Sequence, residues 1–160
     1  MSVGYIKAIT ERYEKLGYAA YQWVQANDPP PFSPLRKPLK DCRIGMLSTS
    51  GAYVVGQKAY FYKDDTSTRT IAATTPKQNI HFAHLTENFL PGPRRDPGCI
   101  LPTEALLLLR AEGAVGAMAQ DVVSCMGAVY SQRRVREELA PALLAIYQSQ
   151  HVDAVLLVPM

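Results

Sequence analysis

The segment Val152–Pro159, VDAVLLVP, constrains the fold more than any other stretch of the chain. A nearly continuous apolar run of this length predicts a parallel strand covered on both faces. The other segments agree. CRIGMLSTSGAYV is rich in apolar residues up to Met46 and Leu47 and reads as a central strand. TRTIAAT, NIHFAHL and AVGAMAQDVVSCMG each supply a further short strand. Between them, TEALLLLRAEG reads as a helix opened by Pro102 and stopped at Gly113. Val135, Leu139, Leu143 and Ile146 line another helix, which Pro141 either kinks or restarts. The sequence therefore predicts an α/β fold: a layered, mostly parallel sheet of about four or five short strands flanked by helices.

The spacing predicts one α/β domain over residues 1–160. Ile6, Ile9, Tyr13, Leu16, Ala20 and Trp23 recur at alternating three- and four-residue steps, one face of an N-terminal amphipathic helix within residues 1–26, from about Val3 to Gln25. Its aromatic stripe is read as packing surface. Residues 27–38 form a proline-rich connector, in which NDPPPFSP breaks the helix and favours extended chain. LPGPRRDPG, Leu90 to Gly98, reads as a loop. No internal repeat or low-complexity stretch interrupts this order.

Composition narrows the function. Apolar residues make up 48% and charged residues 19% of the chain, as in ordinary globular proteins. The net charge of +3 is mild and the basic residues are scattered, which argues against a nucleic-acid partner. No apolar run approaches the ~20 residues that span a bilayer, and Met1 to Thr10 has no apolar core of a signal peptide. Three cysteines without scaffold-like spacing fit free thiols in a reducing compartment, so the expected location is cytoplasmic with no membrane partner. A glycine-rich phosphate loop and a G-x-S-x-G elbow are both missing.

In an open α/β sheet, ligands bind outside the carboxyl ends of the strands. The ends readable here are Ser48–Gly51, His84–Glu87, Ser124–Gly127 and Pro159–Met160. Their small residues suit close approach of a ligand or simply form turns. His84, at a strand exit, fits acid/base work or hydrogen bonding to substrate, and equally a loop-capping histidine. His81 and His84 with Cys99 or Asp96 could be imagined around zinc, but the spacing follows no strong zinc pattern, and no metal is expected. Asp65 and Arg69 in DDTSTR form either a solvated turn or an arginine clamp for a carboxylate. Asp96 in RRDPG has the same two readings. Cys125 in SCMG is a nucleophile only if its thiolate is favoured, and otherwise a small buried hydrophobe.

Taken together, PLRKPLKDCRIGMLSTSG, the Gly56–Gln57 pair, DTSTR, HFAH, RDPGCILP, RAEGAVGAMA, SCMG and VDAVLLVP resemble the selenoprotein B family of glycine, sarcosine and betaine reductases, to which a D-proline reductase subunit is related. The resemblance runs from Phe32 onward. After His84, HLTENF replaces the His-Tyr-Asp-like continuation of many relatives. The resemblance implies cleavage of a carbon–nitrogen bond in a small amino-acid-like or carboxylate-bearing metabolite. It also implies a selenocysteine or cysteine nucleophile just beyond the last strand, which is past Met160 here. The expectation is thus a short member whose chemistry is non-redox, or whose Cys125 or Cys99 takes over. His84, Asp96 and Cys125 are the catalytic candidates. Ser50, Gly51, Gln57, Asp65, Arg69, Ser124 and Gly127 are the substrate-binding ones, and no cofactor is expected. The alternative is a non-catalytic ligand-binding or assembly subunit. An edge-prone terminal strand and the aromatic-faced helix further predict a homo-oligomer or a partner subunit.

Overall fold

The structure, a computed structural model, describes residues 4–20, 25, 27–31 and 33–160. The chain forms two compact units, Met1–Pro34 and Leu35–Met160. The first contains α1, Tyr5–Lys15. This helix is shorter than the apolar periodicity predicts. Its end is closed by Gly17 N–H donating to the Glu14 carbonyl at 2.9 Å, with Gly17 at a φ of +84° that favours glycine. Trp23 and its neighbours at 21–24 lie outside the described residues.

The second unit carries β1 (Arg43–Ser48), β2 (Ala52–Val54), β3 (Thr68–Ala72), β4 (Ile80–Phe82), α2 (Pro91–Arg95), α3 (Thr103–Ala111), β5 (Ala117–Met118), β6 (Asp121–Cys125), α4 (Gln132–Arg134), α5 (Ala140–Ser149) and β7 (Ala154–Val158). A π-turn, Val135–Leu139, joins α4 to α5. Pro141 falls in the first turn of α5, so it starts a second helical segment, where a missing amide donor costs least.

The α/β expectation holds. A five-stranded sheet contains β3, β6, β1, β5 and β7, and a separate two-stranded sheet pairs β2 with β4. Strands β5, β6 and β7 all run parallel to β1, and only β3 is antiparallel, on β6. β7 pairs with β1 from Ile44↔Ala154 to Ser48↔Val158. The other edge of β1 meets β5 first (Ile44↔Met118) and then β6 (Leu47↔Val123). The register steps by two residues between these ladders, from an offset of 118 − 44 = 74 to 123 − 47 = 76. Ala119 and Gln120 supply the step.

The core gathers Met46, Ile71, Phe82, Leu90, Leu101, Leu106 and Val122. Helix α5 crosses at Gly45, where a Cβ would stand 2.9 Å from the Tyr147 ring, and Tyr147 donates its hydroxyl to the Met46 carbonyl at 3.0 Å.

Two local expectations need correction. β7 is parallel, yet it is not covered on both faces: Leu156 is 40% exposed and Leu157 66%. It pairs with β1 alone and so lies at an edge. The stretch from Leu90 to Gly98 is no simple loop. It folds into α2 and the 3-10 turn Pro97–Cys99, since Pro91 and Pro97 sit in first turns and Leu90 is fully buried.

The two sheets are joined at Gly51. Its amide donates to the Cys125 carbonyl at 2.9 Å, and its own carbonyl accepts from Ala83 N–H at 3.0 Å. A Cβ here would lie 2.1 Å from the Ala83 oxygen, on backbone at a φ of +65°. Replacing Gly51 with alanine is therefore expected to destabilise the fold by more than about 2 kcal/mol, read as a lower urea midpoint. A midpoint equal to wild type would show that this junction is slack.

Candidate functional site

Because β1, β6 and β7 are parallel, their carboxyl ends open on one side of the sheet. Thr49 ties two of these ends together. Its amide donates to the Val158 carbonyl at 3.1 Å, and its hydroxyl accepts from the Met160 amide at 2.8 Å. Gly127, past β6, completes the rim and is exposed. The point where its Cβ would stand is 2.9 Å from the Met160 carbonyl oxygen, 3.0 Å from that of Thr49 and 3.1 Å from His84 Nε2. Only glycine leaves room for this convergence.

His84 arrives from the exit of β4 and is 6% exposed. Thr86 N–H donates to His84 Nδ1 at 3.1 Å, and the Thr86 hydroxyl lies 2.7 Å from the same nitrogen. An amide can only donate, so Nδ1 is the acceptor and the neutral ring carries its proton on Nε2. Nε2 is buried and, among the described residues, makes no hydrogen bond of good geometry; the nearby Thr49 carbonyl reaches it only well enough to favour the charged ring. Burial dominates and holds the pKa below the ordinary imidazole value, against the opposing pulls of Thr49 and Glu87. At neutral pH His84 is thus an uncharged N–H donor aimed at the rim. An unpartnered buried donor is costly, and such a group calls for a water, an ion or a ligand to satisfy it.

Beneath the rim runs a polar seam. Ser48, Ser50 and Ser124 are all fully buried. Ser48 Oγ is 2.7 Å from the Ile100 carbonyl and 2.7 Å from Ser50 Oγ. A carbonyl only accepts, so Ser48 gives it its single proton and takes one from Ser50. Among the described residues Ser124 Oγ has no partner.

The structure brings together Ser50, Gly51, His84 and the Ser124–Gly127 turn at this rim. Asp65 and Arg69 line a different cleft, with Lys58, Ala59, Tyr60, Phe61 and Ser67. The Asp65 carboxylate is spent on the amides of Phe61 and Ser67 and on the Ser67 hydroxyl. Gln57 closes a turn, donating to the Thr70 carbonyl at 2.8 Å and accepting from Val54 N–H at 3.1 Å. Asp96 is exposed and caps the turn after it by accepting from Gly98 N–H at 3.1 Å. Cys125 is 2% exposed, and burial pushes its thiol up to about 11, away from the thiolate a nucleophile needs. His81 is exposed and lies against Tyr53 with ring centroids 5.7 Å apart. Among the described residues, no three His, Cys, Asp or Glu side chains cluster as a metal site would require.

Sequence reasoning named the strand exits that hold Thr49 and Thr86 without giving either residue a role, and it missed Tyr60. Thr49 lies within Ser48–Gly51, and Thr86 follows His84 at the two-residue spacing that lets a backbone amide reach back to a side chain. Tyr60 carried no local signal, because its hydroxyl bonds at 2.6 Å to the carbonyl of Ser124, 64 residues away.

Two measurements check this description. Iodoacetamide on the native protein is expected to modify exposed Cys99 while sparing buried Cys42 and Cys125. Rapid native labelling of Cys125 would contradict the burial. Since the folded His84 pKa is lowered, the unfolded chain binds more protons just below its own value of about 6.5. Stability is then lost as the pH falls through that value, and His84→Gln is expected to flatten this slope in urea titrations between pH 5 and 8. An unchanged slope would place the proton elsewhere.

No protein-family model and no solved structure matches the chain. The chain is 26% identical over 136 residues to the D-proline reductase subunit gamma of Acetoanaerobium sticklandii, an alignment that takes in 84% of this chain. It spans about half the length of that curated relative, 55%. Among the described residues no helix is long and apolar enough to cross a membrane. The alignment supports a distant relation of this chain to the selenoprotein B-like reductases.

Proposed function

We propose that the protein works as a reductase-related subunit that holds a small amino-acid-like metabolite at the His84 rim. The single observation that carries this reading is the buried, tautomer-fixed and unpartnered Nε2–H of His84. An N–H donor suits a carboxylate oxygen of the metabolite. The carbonyls of Thr49 and Met160, which flank the same point, suit its ammonium group. A zwitterionic amino acid offers both. With its proton on Nε2, His84 acts as a hydrogen-bond donor that orients substrate and stabilises charge, rather than as the base that removes a proton. Ser50, Gly51, Ser124 and Gly127 shape the rim. Cys125 contributes packing, and Asp96 holds its own turn.

The family resemblance implies a thiolate or selenolate just beyond the last strand, and the Met160 carbonyl, which lies against Gly127 and next to His84, supports reading this rim as where it would act. A nucleophile delivered there, by whichever chain carries it, meets a substrate held by His84. Its lone pair forms the new bond to the substrate carbon as the carbon–nitrogen bond breaks. The leaving amine takes a proton from solvent. A thiol of the dithiol reductant then attacks the sulfur or selenium of the adduct: that bond forms as the bond to carbon breaks, the carbon takes a proton, and the reductant's second thiol displaces the nucleophile, so that the dithiol ends as a disulfide and the carbon is reduced.

The test is turnover of an amino-acid panel that includes D-proline, with a dithiol reductant and a subunit or added thiol that supplies the nucleophile and gives measurable wild-type activity, by wild type and by His84→Ala. The variant is expected to lose about 10²-fold in kcat, the usual cost of removing one well-placed donor. Equal turnover would remove His84 from the reaction. A second reading, an assembly subunit, is favoured by Leu156 and Leu157, which leave both faces of β7 exposed. A homo-oligomer or a partner subunit seated there would cover them. A monomeric preparation with full activity would overturn that reading.

A further inference from the structure

We infer that the cleft lined by Lys58, Tyr60, Phe61, Asp65, Ser67 and Arg69 is a second ligand site, built for a small carboxylate with a planar apolar body. It shares no lining residue with the His84 rim and does not rest on the function proposed there.

The argument begins with how Arg69 is held. Its Nε donates to the Lys58 carbonyl at 2.7 Å, and its Nη1 to the Ser67 hydroxyl and the Thr68 carbonyl at 2.9 Å each. The guanidinium carbon lies 4.4 Å above the Tyr60 ring, and that ring is fixed by its hydroxyl bond to the Ser124 carbonyl. Three bonds and a stack leave the plane no freedom to rotate. Nη2 remains without an acceptor among the described residues, so the group is a pre-oriented receptor.

Charge points the same way. Arg69 and Lys58 form no ion pair among the described residues, unlike Arg94, Arg133 and Arg134. The one acid in the cleft, Asp65, has its oxygens turned to the Phe61 and Ser67 amides and the Ser67 hydroxyl. Ser67 in turn accepts from Arg69, so Asp65 steadies the guanidinium through a hydroxyl without neutralising it directly. Arg69 and Lys58 therefore line the cleft beside a single carboxylate, whose oxygens are turned to the Phe61 and Ser67 amides and which acts on Arg69 through space and through the Ser67 hydroxyl. The wall is apolar: Phe61 is 62% exposed, beside Tyr62 at 58%. A carboxylate meets Arg69 and Lys58 while a flat apolar body covers Phe61. A phosphate dianion gains less, because Asp65 lies in the same cleft and repels extra charge.

Amide NMR titration of the full chain with benzoate, acetate and inorganic phosphate tests this. Benzoate is expected to shift the amides of residues 58–69 saturably in wild type and equally in His84→Ala. Arg69→Lys, which keeps the charge but loses the fork, is expected to weaken benzoate about tenfold. Phe61→Ala is expected to weaken benzoate while leaving acetate unchanged. Lys58→Ala, which alters only an exposed side chain, should weaken both acids and guards against a folding defect in the arginine variant. The inference is overturned if benzoate gives no saturable shift, if phosphate binds as tightly, or if both cation variants bind like wild type. Loss of binding in a folded His84→Ala would show that the cleft and the rim are one site.

Discussion

Everything at the rim depends on β1 being hydrogen-bonded along both edges. β7 covers one edge from Ile44 to Ser48, and β5 followed by β6 covers the other. Two of these parallel neighbours, β6 and β7, run to the carboxyl end of β1, so the three ends finish together beside Ser48. Thr49 and Met160 then meet, Gly127 closes over them, and His84 reaches the same point from the smaller sheet. The link between sheets is the backbone of Gly51, which bonds to β6 on one side and to Ala83 on the other. A side chain at Gly51 or Gly127 would push these pieces apart. The site is thus a product of backbone convergence more than of any single reactive side chain.

The polar groups divide into those that are satisfied and those that are not. Ser48 and Ser50 pass a proton chain to the Ile100 carbonyl, and Tyr147 and Tyr60 each find a backbone oxygen. These bonds fix helices and loops to the sheet at little net cost. His84 Nε2 and Ser124 Oγ stand apart as buried atoms without partners. In a chain that satisfies its other buried side-chain polar atoms among the described residues, these two are where the fold gives up hydrogen-bond stability.

Much of the architecture was legible in the sequence. The strand cores around Met46, Ile71, Val122 and Leu156 announce themselves by apolar runs, and Pro141 and Gly113 mark helix boundaries that the structure keeps. The clustering of strand exits was legible too, since a parallel sheet dictates it. Three kinds of feature were not. The burial of β7 depends on neighbours that a local pattern does not encode, and α1 stops at a glycine that apolar periodicity overlooks. The proline-rich stretch after Leu90 looked like a loop because prolines break helices, yet in first turns they start them. For the site, residue types pointed to His84, but its tautomer is set by a backbone amide, which leaves no mark in sequence. Arg69 was readable as either a turn residue or a carboxylate clamp; its place in a cleft apart from His84 required coordinates.

The two-residue step between β5 and β6 has a mechanical consequence. It cuts one edge of β1 into two short ladders with Ala119 and Gln120 between them. The small cluster of Cys42, Ile44 and Val115 belongs to one ladder, while the main core backs the other. Short ladders joined by a break open separately at lower cost than one long ladder. The end of the sheet remote from His84 is therefore expected to open at lower cost on its β5 edge than the rim, while β7 stays continuous along the other edge of β1.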